Sequence, residues 1–312
     1  MSFNNKISWP DGKLFAFSIL DDTDLATVTN VSPVYSFLEN LDFRTTKLVW
    51  PIGGDPLSQQ GSTCDDLEYL AWIKILQDKG FEIGLHLAKY NTSSREQTFA
   101  ALQKFNRLFG HWPKILANHA GCQEGIYWGD HRLSGFNKKI YNLWNGGKNR
   151  NRFRGHIEGD PLFWGDYCKK YVTYVRNFVF NDMNTLKKCS IMPYYDPDRP
   201  FVNRWFASSE GATVESFNKT ISEENQDLLE AEGGACIMYT HFAFGFYQDS
   251  VLNKRFTNLM TRLSQKKGWF VPVSEILDYL KEQKGERIIT KRQRMLLELR
   301  WMLNKYILEG TT

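Results

Sequence analysis

The sequence predicts an α/β protein built on a largely parallel sheet or barrel. Short runs with the composition of β-strands alternate with segments that have helical spacing, and this alternation is typical of parallel sheets. Acidic and histidine residues follow the ends of several predicted strands. Because folds of this kind carry their chemistry on the loops after the strands, this placement predicts one functional site.

Predicted strands and helices alternate in the early part of the chain, and further strands are predicted later in it. Six runs are predicted strands: 13–20, 45–52, 81–87, 113–119, 235–242 and 269–274. Three segments between the early strands are predicted helices: 32–41, 65–80 and 93–110. The second helix begins near Asp65 and Asp66, which can act as N-caps, and it ends at Lys79-Gly80. The third begins with Ser-Ser-Arg-Glu, a capping-box pattern.

The middle of the chain is harder to assign. The segment 122–210 is rich in asparagine, glycine, arginine and aromatic residues, and it shows little periodicity. We expect an insert of long loops and short helices that covers one face of the domain. Connections of this length inside a compact domain are often functional.

The last part of the chain changes character, and the sequence predicts a domain over 1–284 followed by a basic amphipathic helix over 285–312. Between Lys281 and Lys305 there are eight lysines or arginines against three glutamates, with apolar residues at roughly helical spacing. The helix either docks on the domain or on a second copy of it, which leaves a homo-oligomer open, or lies on an anionic membrane surface. Docking is favoured because amphipathic terminal helices are most often packing elements.

Composition excludes several classes of protein. The 312-residue chain has a formal net charge of +4, too mild for a dedicated nucleic-acid binder, so no nucleic-acid partner is expected. Its five cysteines form no C-x-x-C pair, which predicts reduced thiols in a cytoplasmic protein. The first residues lack the apolar core of an export signal, and no apolar run is long enough to predict a transmembrane segment.

In the run KLFAFSILDDTDLAT, a predicted strand is followed directly by three carboxylates in four positions, Asp21, Asp22 and Asp24. Like charges repel at this spacing, so a nearby cation or a raised carboxylate pKa is expected. A zinc-like ion would accept one carboxylate and one or two imidazoles and keep a position for water. We therefore predict Asp22, His86 and His119 as metal ligands, with Asp21 beside the ion as the base. Taken alone, the acids could instead cap a helix, and the histidines could lie in the core.

These motifs, in their order, resemble those of the NodB-homology polysaccharide deacetylases, carbohydrate esterase family four. SILDDTD resembles the family's first motif, GFEIGLHLAKY its second and ACIMYTHFAFG its last, while GWFVPVSEILDYL fits its closing strand and helix. The resemblance covers roughly residues 13–284 and implies a deformed (β/α) barrel. It also implies that Asp21 is the catalytic base, that Asp22 binds the metal, and that His241 protonates the leaving amine.

The sequence departs from the family at several positions, so it resembles an atypical branch. Tyr90 stands where the family has its second metal-binding histidine, and Ala117 stands where its third motif has arginine. His119, which follows closely after Ala117, is predicted to replace the lost ligand, with His156 and Glu158 as reserve ligands.

Arg176 is a charged residue among apolar neighbours, where an unpaired charge is costly. Three roles are open for it. It could pair with a structural acid, orient Asp21, or bind a carboxylate of the substrate.

The resemblance implies a metal-dependent hydrolase, with zinc as the expected cofactor, that removes an N-acetyl or other acyl group from an amino sugar. Because no export signal is predicted, the expected substrate is a small or carrier-linked intermediate of surface polysaccharide synthesis rather than a cell-wall polymer. Two alternatives stay open. One is a catalytically silent barrel that binds carbohydrate or serves assembly, and the other is a different metal-dependent C–N hydrolase.

Overall fold

Seven parallel strands close into a barrel, and helices pack around it. The structure is a computed structural model that describes residues 7–308. Residues 1–6, on which the predicted absence of an export signal partly depends, and residues 309–312 of the predicted terminal helix lie outside this range. The strands are β1 (Phe15–Asp21), β2 (Thr46–Val49), β3 (Glu82–Leu85), β4 (Ile115–Leu116), β5 (Tyr174–Phe180), β6 (Arg204–Ser209), β7 (Ala235–Thr240), β8 (Tyr247–Gln248), β9 (Val251–Leu252) and β10 (Gly268–Phe270). The helices are α1 (Val28–Asn40), α2 (Leu67–Asp78), α3 (Arg95–Phe109), α4 (Gly135–Trp144), α5 (Gly165–Tyr171), α6 (Thr185–Lys188), α7 (Val214–Thr220), α8 (Glu223–Glu232), α9 (Lys254–Ser264), α10 (Val273–Lys284) and α11 (Lys291–Leu308).

The barrel closes between its first and seventh strands. The sheet order is β10-β1-β2-β3-β4-β5-β6-β7, and β1 also pairs with the whole of β7. The other edge of β1 pairs with β10 through Phe15–Phe17 and with β2 through Leu20 and Asp21. All seven residues of β1 are buried, as expected for a parallel strand that is covered on both faces. The predicted α/β fold, a deformed (β/α) barrel, is confirmed.

Local sequence signals set the limits of the elements. Helix α1 begins at residue 28 rather than 32, because Thr27 and Asn30 form a reciprocal capping box. Helix α3 has the predicted capping box at Ser94 and ends at Gly110, whose φ of 78° lies in the left-handed region. The predicted strand 269–274 shortens to β10 because Pro272, which has no N–H to donate, is the N-cap of α10.

Two barrel strands lie in the segment 122–210, which the sequence predicts as loops and short helices. Strands β5 and β6 are neighbours in the sheet, and all seven residues of β5 are buried. The prediction is wrong for these two stretches because the polar residues Arg176 and Asn177 interrupt the apolar pattern of β5. The rest of the segment contains loops and the short helices α4, α5 and α6, as expected.

The terminal helix α11 docks on the barrel through one buried face. Trp301 packs with its ring centroid 5.2 Å from that of Phe178 in β5. Glu298 is wholly buried, and it accepts a hydrogen bond from the Ser134 hydroxyl at 3.0 Å. This is the docked arrangement that the sequence favours. None of the helices within residues 7–308 has both the length and the apolar character needed to span a bilayer.

Replacing Trp301 by alanine is expected to lower the free energy of unfolding by about 3–5 kcal/mol, because it leaves a large cavity beneath α11. The control is Leu303→Ala on the same helix, at a side chain that is 50% exposed, which should change this free energy by less than about 1 kcal/mol. Urea denaturation followed by circular dichroism measures both. Equal losses for the two variants would contradict docking through Trp301.

Candidate metal centre and active site

The carboxyl ends of the barrel strands bring acids and histidines together at one end of the barrel. The chain turns directly after β1, where the Ala26 N–H donates to the Thr23 carbonyl at 3.0 Å, and this turn carries the acidic run over the barrel mouth. Further side chains arrive from the ends of β3, β4 and β7. The side chains that meet there, which we call the acid–histidine cluster, are Asp22, Asp24, His86, His119 and His241.

Asp24 lies at the centre of the acid–histidine cluster. Its Oδ1 atom is 2.9 Å from Nε2 of His119. Its Oδ2 atom is 3.1 Å from Nε2 of His86 and 3.4 Å from Nε2 of His241. A single carboxylate therefore faces three imidazole nitrogens.

Two overlapping groups of side chains have the donor atoms and the spacing of a metal site. The ligand atoms of Asp24, His86 and His119 all lie within 4.8 Å of one another, and so do those of Asp22, Asp24 and His241. One carboxylate with two imidazoles is a donor set that suits a divalent ion such as zinc and leaves a position for water. The residues present therefore fit such an ion.

The surroundings in the cluster favour the negatively charged form of Asp24 and the positively charged form of His241. Burial acts to raise the pKa of Asp24, but hydrogen bonds from three histidines outweigh it and hold that pKa well below its usual value. Burial acts to lower the pKa of His241, but the carboxylates of Asp24 and Asp22 outweigh it, so the pKa of His241 is raised.

Asp22 is held by a buried arginine. The two terminal nitrogens of Arg176 donate to its carboxylate at 3.3 and 3.0 Å, and the two side chains are only 3% and 2% exposed. The guanidinium carbon also lies 4.2 Å from the ring centroid of Tyr239. A forked contact of this kind fixes the orientation of a carboxylate. Of the three roles open to Arg176 from the sequence, pairing with an acid is the one observed, and its partner is Asp22.

Asp21 lies beside the cluster in a buried ion pair with Lys47. Its Oδ2 atom accepts hydrogen bonds from Lys47 Nζ at 2.7 Å and from the Tyr35 hydroxyl at 2.9 Å. Its Oδ1 atom accepts one from the Phe242 N–H at 2.8 Å. Burial raises the pKa of Asp21, although Lys47 opposes this shift. Lys47 is thus one of the cations that the acidic run requires.

Of the predicted metal ligands, His86 and His119 lie next to each other, and Asp22 lies somewhat farther away. The rings of His86 and His119 have centroids 5.3 Å apart, which brings together two imidazoles from different strand ends. Asp22 Oδ2 is 3.9 Å from His86 Nε2, farther than the Oδ2 atom of Asp24. Tyr90, at the position of the lost histidine, places its ring centroid 5.2 Å from that of His119.

Sequence reasoning missed two residues that shape the site. Asp24 belongs to the acidic run itself. The presence of a third acid in that run was the signal that could have identified it, since each of three carboxylates needs its own partner. Lys47 stands within a predicted strand, and a lysine in a buried strand requires an acid. The reserve ligands lie elsewhere: Nδ1 of His156 accepts a hydrogen bond from a backbone N–H, and Glu158 is exposed.

Comparisons with known proteins support the fold. No protein-family model matches the sequence, and no curated protein sequence matches it. Among solved structures, the chain is similar to the PuuE allantoinase, with 11% identity and a TM-score of 0.52 over 88% of this chain and 92% of that one. It is also similar to a protein described as a polysaccharide deacetylase from Pseudomonas aeruginosa PAO1 (12% identity, TM-score 0.49, 88% and 93% covered) and to another from Mycobacterium smegmatis (10%, 0.48, 92% and 97%). At these identities the likeness is one of fold alone, and the likeness to the allantoinase agrees with the predicted (β/α) barrel.

The variant Asp21→Asn is expected to lower the free energy of unfolding by about 3–5 kcal/mol, because it leaves the Lys47 ammonium buried without a counter-charge. The double variant Asp21→Asn with Lys47→Met removes both charges and should recover most of that loss. Urea denaturation at neutral pH measures both. If Asp21→Asn were as stable as the wild type, the ion pair would not have the structural role assigned to it.

Proposed function

We propose that this barrel, whose fold is that of the polysaccharide deacetylases, is a metal-dependent hydrolase that removes an N-acetyl or other acyl group from an amino sugar. The observation that carries the proposal is the convergence of two imidazoles on the Asp24 carboxylate, beside a second carboxylate held by arginine. The order of the sequence motifs supports the acyl-sugar substrate.

We assign the metal ligands as Asp24, His86 and His119, with zinc as the first ion to test because it takes this mixture of oxygen and nitrogen donors. When bound, the ion would polarise the acyl carbonyl and lower the pKa of a water molecule. Asp22, the carboxylate ligand expected from the motifs, is the competing candidate. Its two oxygens already accept hydrogen bonds from Arg176, which favours Asp24 as the ligand.

Asp22 is the best placed general base. Its Oδ2 atom lies 3.9 Å from His86 Nε2, so it borders the ligand group, and the forked contact with Arg176 fixes its orientation. Each carboxylate oxygen has two lone pairs, so one remains for the proton of an attacking water molecule. Asp21, the base expected from the motifs, accepts three hydrogen bonds from residues of the barrel itself, and we therefore give it a positioning role.

His241 is the proposed general acid. Its Nδ1 atom lies 3.0 Å from the Ala212 carbonyl, to which it donates a hydrogen bond, so Nε2 faces the cluster. The carboxylates of Asp24 and Asp22 favour the protonated ring. Because an amine is a poor leaving group unless its nitrogen is protonated, amide hydrolysis needs such an acid.

The finer substrate, a small or carrier-linked intermediate of surface polysaccharide synthesis, stays part of the proposal. A second candidate is a metal-dependent hydrolase of other C–N bonds, and the fold likeness to an allantoinase is the reason to test it. Release of acetate from N-acetylated monosaccharides, sugar nucleotides and polymers, compared with hydrolysis of non-sugar amides, separates these substrates. If the purified protein takes up no ion and hydrolyses none of them, the silent-barrel alternative is supported.

The variants Asp24→Asn and His119→Ala are expected to weaken zinc binding by at least about 100-fold, since partners of metal ligands alone are worth about 10–100-fold. His111→Ala removes an exposed histidine outside the cluster and should leave the affinity unchanged. Titration calorimetry of the metal-free protein measures the affinities. Wild-type binding by Asp24→Asn, with loss on Asp22→Asn, would return the ligand role to Asp22.

The variant Asp22→Asn is expected to keep stoichiometric zinc and lose turnover by about 10²–10⁴-fold, the usual contribution of a general base. Acetate release and metal content are measured on the same preparation. Asp21→Asn, assayed at a temperature where it remains folded, serves as the comparison and should lose much less. The reverse order of losses would make Asp21 the base.

A further inference from the structure

Helices α4 and α11 lie side by side and run in the same direction on the outside of the barrel. Near their starts, the Asn137 side chain donates to the Met295 carbonyl at 3.0 Å. Near their ends, the rings of Trp144 and Tyr306 have centroids 5.4 Å apart. The two helices therefore form one continuous surface along their shared length.

This surface exposes a group of apolar side chains to solvent. The exposed apolar side chains on it include Phe136, Leu143 and Trp144 from α4 and Leu296, Leu303 and Tyr306 from α11, and we call it the α4–α11 face. Leu143 is 85% exposed and Phe136 is 75% exposed. Single exposed apolar residues are ordinary, but a contiguous group of them marks an interaction site.

Helix α11 has two apolar stripes, and docking uses only one of them. Trp301 and Met302 belong to the stripe that packs on the barrel. Leu296, Leu299 and Leu303 form a second stripe at helical spacing, and each is between 39% and 50% exposed. The docked structure therefore leaves the second stripe without a partner among residues 7–308.

Every exposed charged residue in α11 and in the segment that contains α4 is positive. The segment 131–157, which contains α4, has seven lysines or arginines and no aspartate or glutamate. Helix α11 has five lysines or arginines and one acid, Glu298, which is wholly buried. The basic residues with exposed side chains include Lys139, Lys148, Arg150, Lys291, Arg292 and Arg300.

Two occupants could cover the α4–α11 face, a second copy of the chain or an anionic bilayer, and the charge of the face distinguishes between them. A second copy of the chain would meet it through the same face, because symmetric contacts are self-complementary, and would set one basic rim against another. An anionic bilayer offers an apolar boundary for the leucine and aromatic side chains and phosphates for the basic ones. We propose that the α4–α11 face docks on the surface of an anionic lipid bilayer. This inference does not depend on the proposed catalytic function.

The test is co-sedimentation of the full chain with vesicles. We expect binding to phosphatidylcholine vesicles that contain phosphatidylserine, weak or no binding to pure phosphatidylcholine, and loss of binding as salt is raised. Leu143→Glu with Leu303→Glu should lower the vesicle affinity by about tenfold or more. Leu57→Glu with Leu67→Glu, at side chains that are 97% and 81% exposed outside the face, is the control matched in charge and should bind like the wild type.

A second pair of variants tests the charges. Lys148→Glu with Arg150→Glu should lower the affinity for anionic vesicles by about tenfold or more. Lys219→Glu with Lys267→Glu makes the same change in net charge at exposed lysines elsewhere and should bind like the wild type. Circular dichroism and urea denaturation confirm that each variant is folded.

Three results would overturn the proposal. The first is that the wild type does not bind anionic vesicles. The second is that both variants of the face bind as tightly as their controls. The third is that the protein is a dimer by size-exclusion chromatography with light scattering and that Leu143→Glu with Leu303→Glu makes it a monomer, which would identify a second copy as the occupant.

Discussion

The buried ion pair between Lys47 and Asp21 is the interaction on which the site depends. Three acids at the end of one strand would repel one another unless each had its own partner. Lys47 neutralises the first acid from the next strand, and Arg176 neutralises the second from β5. Asp24, which has no such cation among residues 7–308, lies nearest the histidines, with Asp22 at the border of the group. The fold therefore separates the three charges by giving each a partner from a different part of the chain.

Much of the fold could be predicted because the early units carry clear local signals, such as the capping box at Ser94. The histidines at the strand ends could also be predicted, because parallel strands end at the same edge of a barrel. Strand β5 could not, because a buried strand tolerates Arg176 only when an acid reaches it, and that acid lies 154 residues away in the sequence. The sequence could not show which of the three acids lies nearest the histidines for the same reason, since the partners of the acids come from distant strands.

The α4–α11 face runs along the side of the barrel, and the carboxyl-terminal part of α11 reaches the end of the barrel that carries the cluster. Asn181 directly follows the carboxyl end of β5, and its N–H donates to the side chain of Asn304 in α11 at 2.9 Å. Contact of the face with a bilayer would therefore hold the barrel mouth close to the lipid headgroups. A substrate that is carried on a lipid would then be met in two dimensions rather than in bulk solution.

Closure of the barrel through β1 has a consequence for biosynthesis. The first strand takes its neighbours from β2, β7 and β10, so two of its three partners are encoded in the last third of the chain. A ribosome that makes the chain from its amino terminus releases the apolar run Phe15–Asp21 long before those partners exist. The nascent chain must keep this run from associating wrongly until translation is almost complete, and chaperones act on exposed segments of this kind.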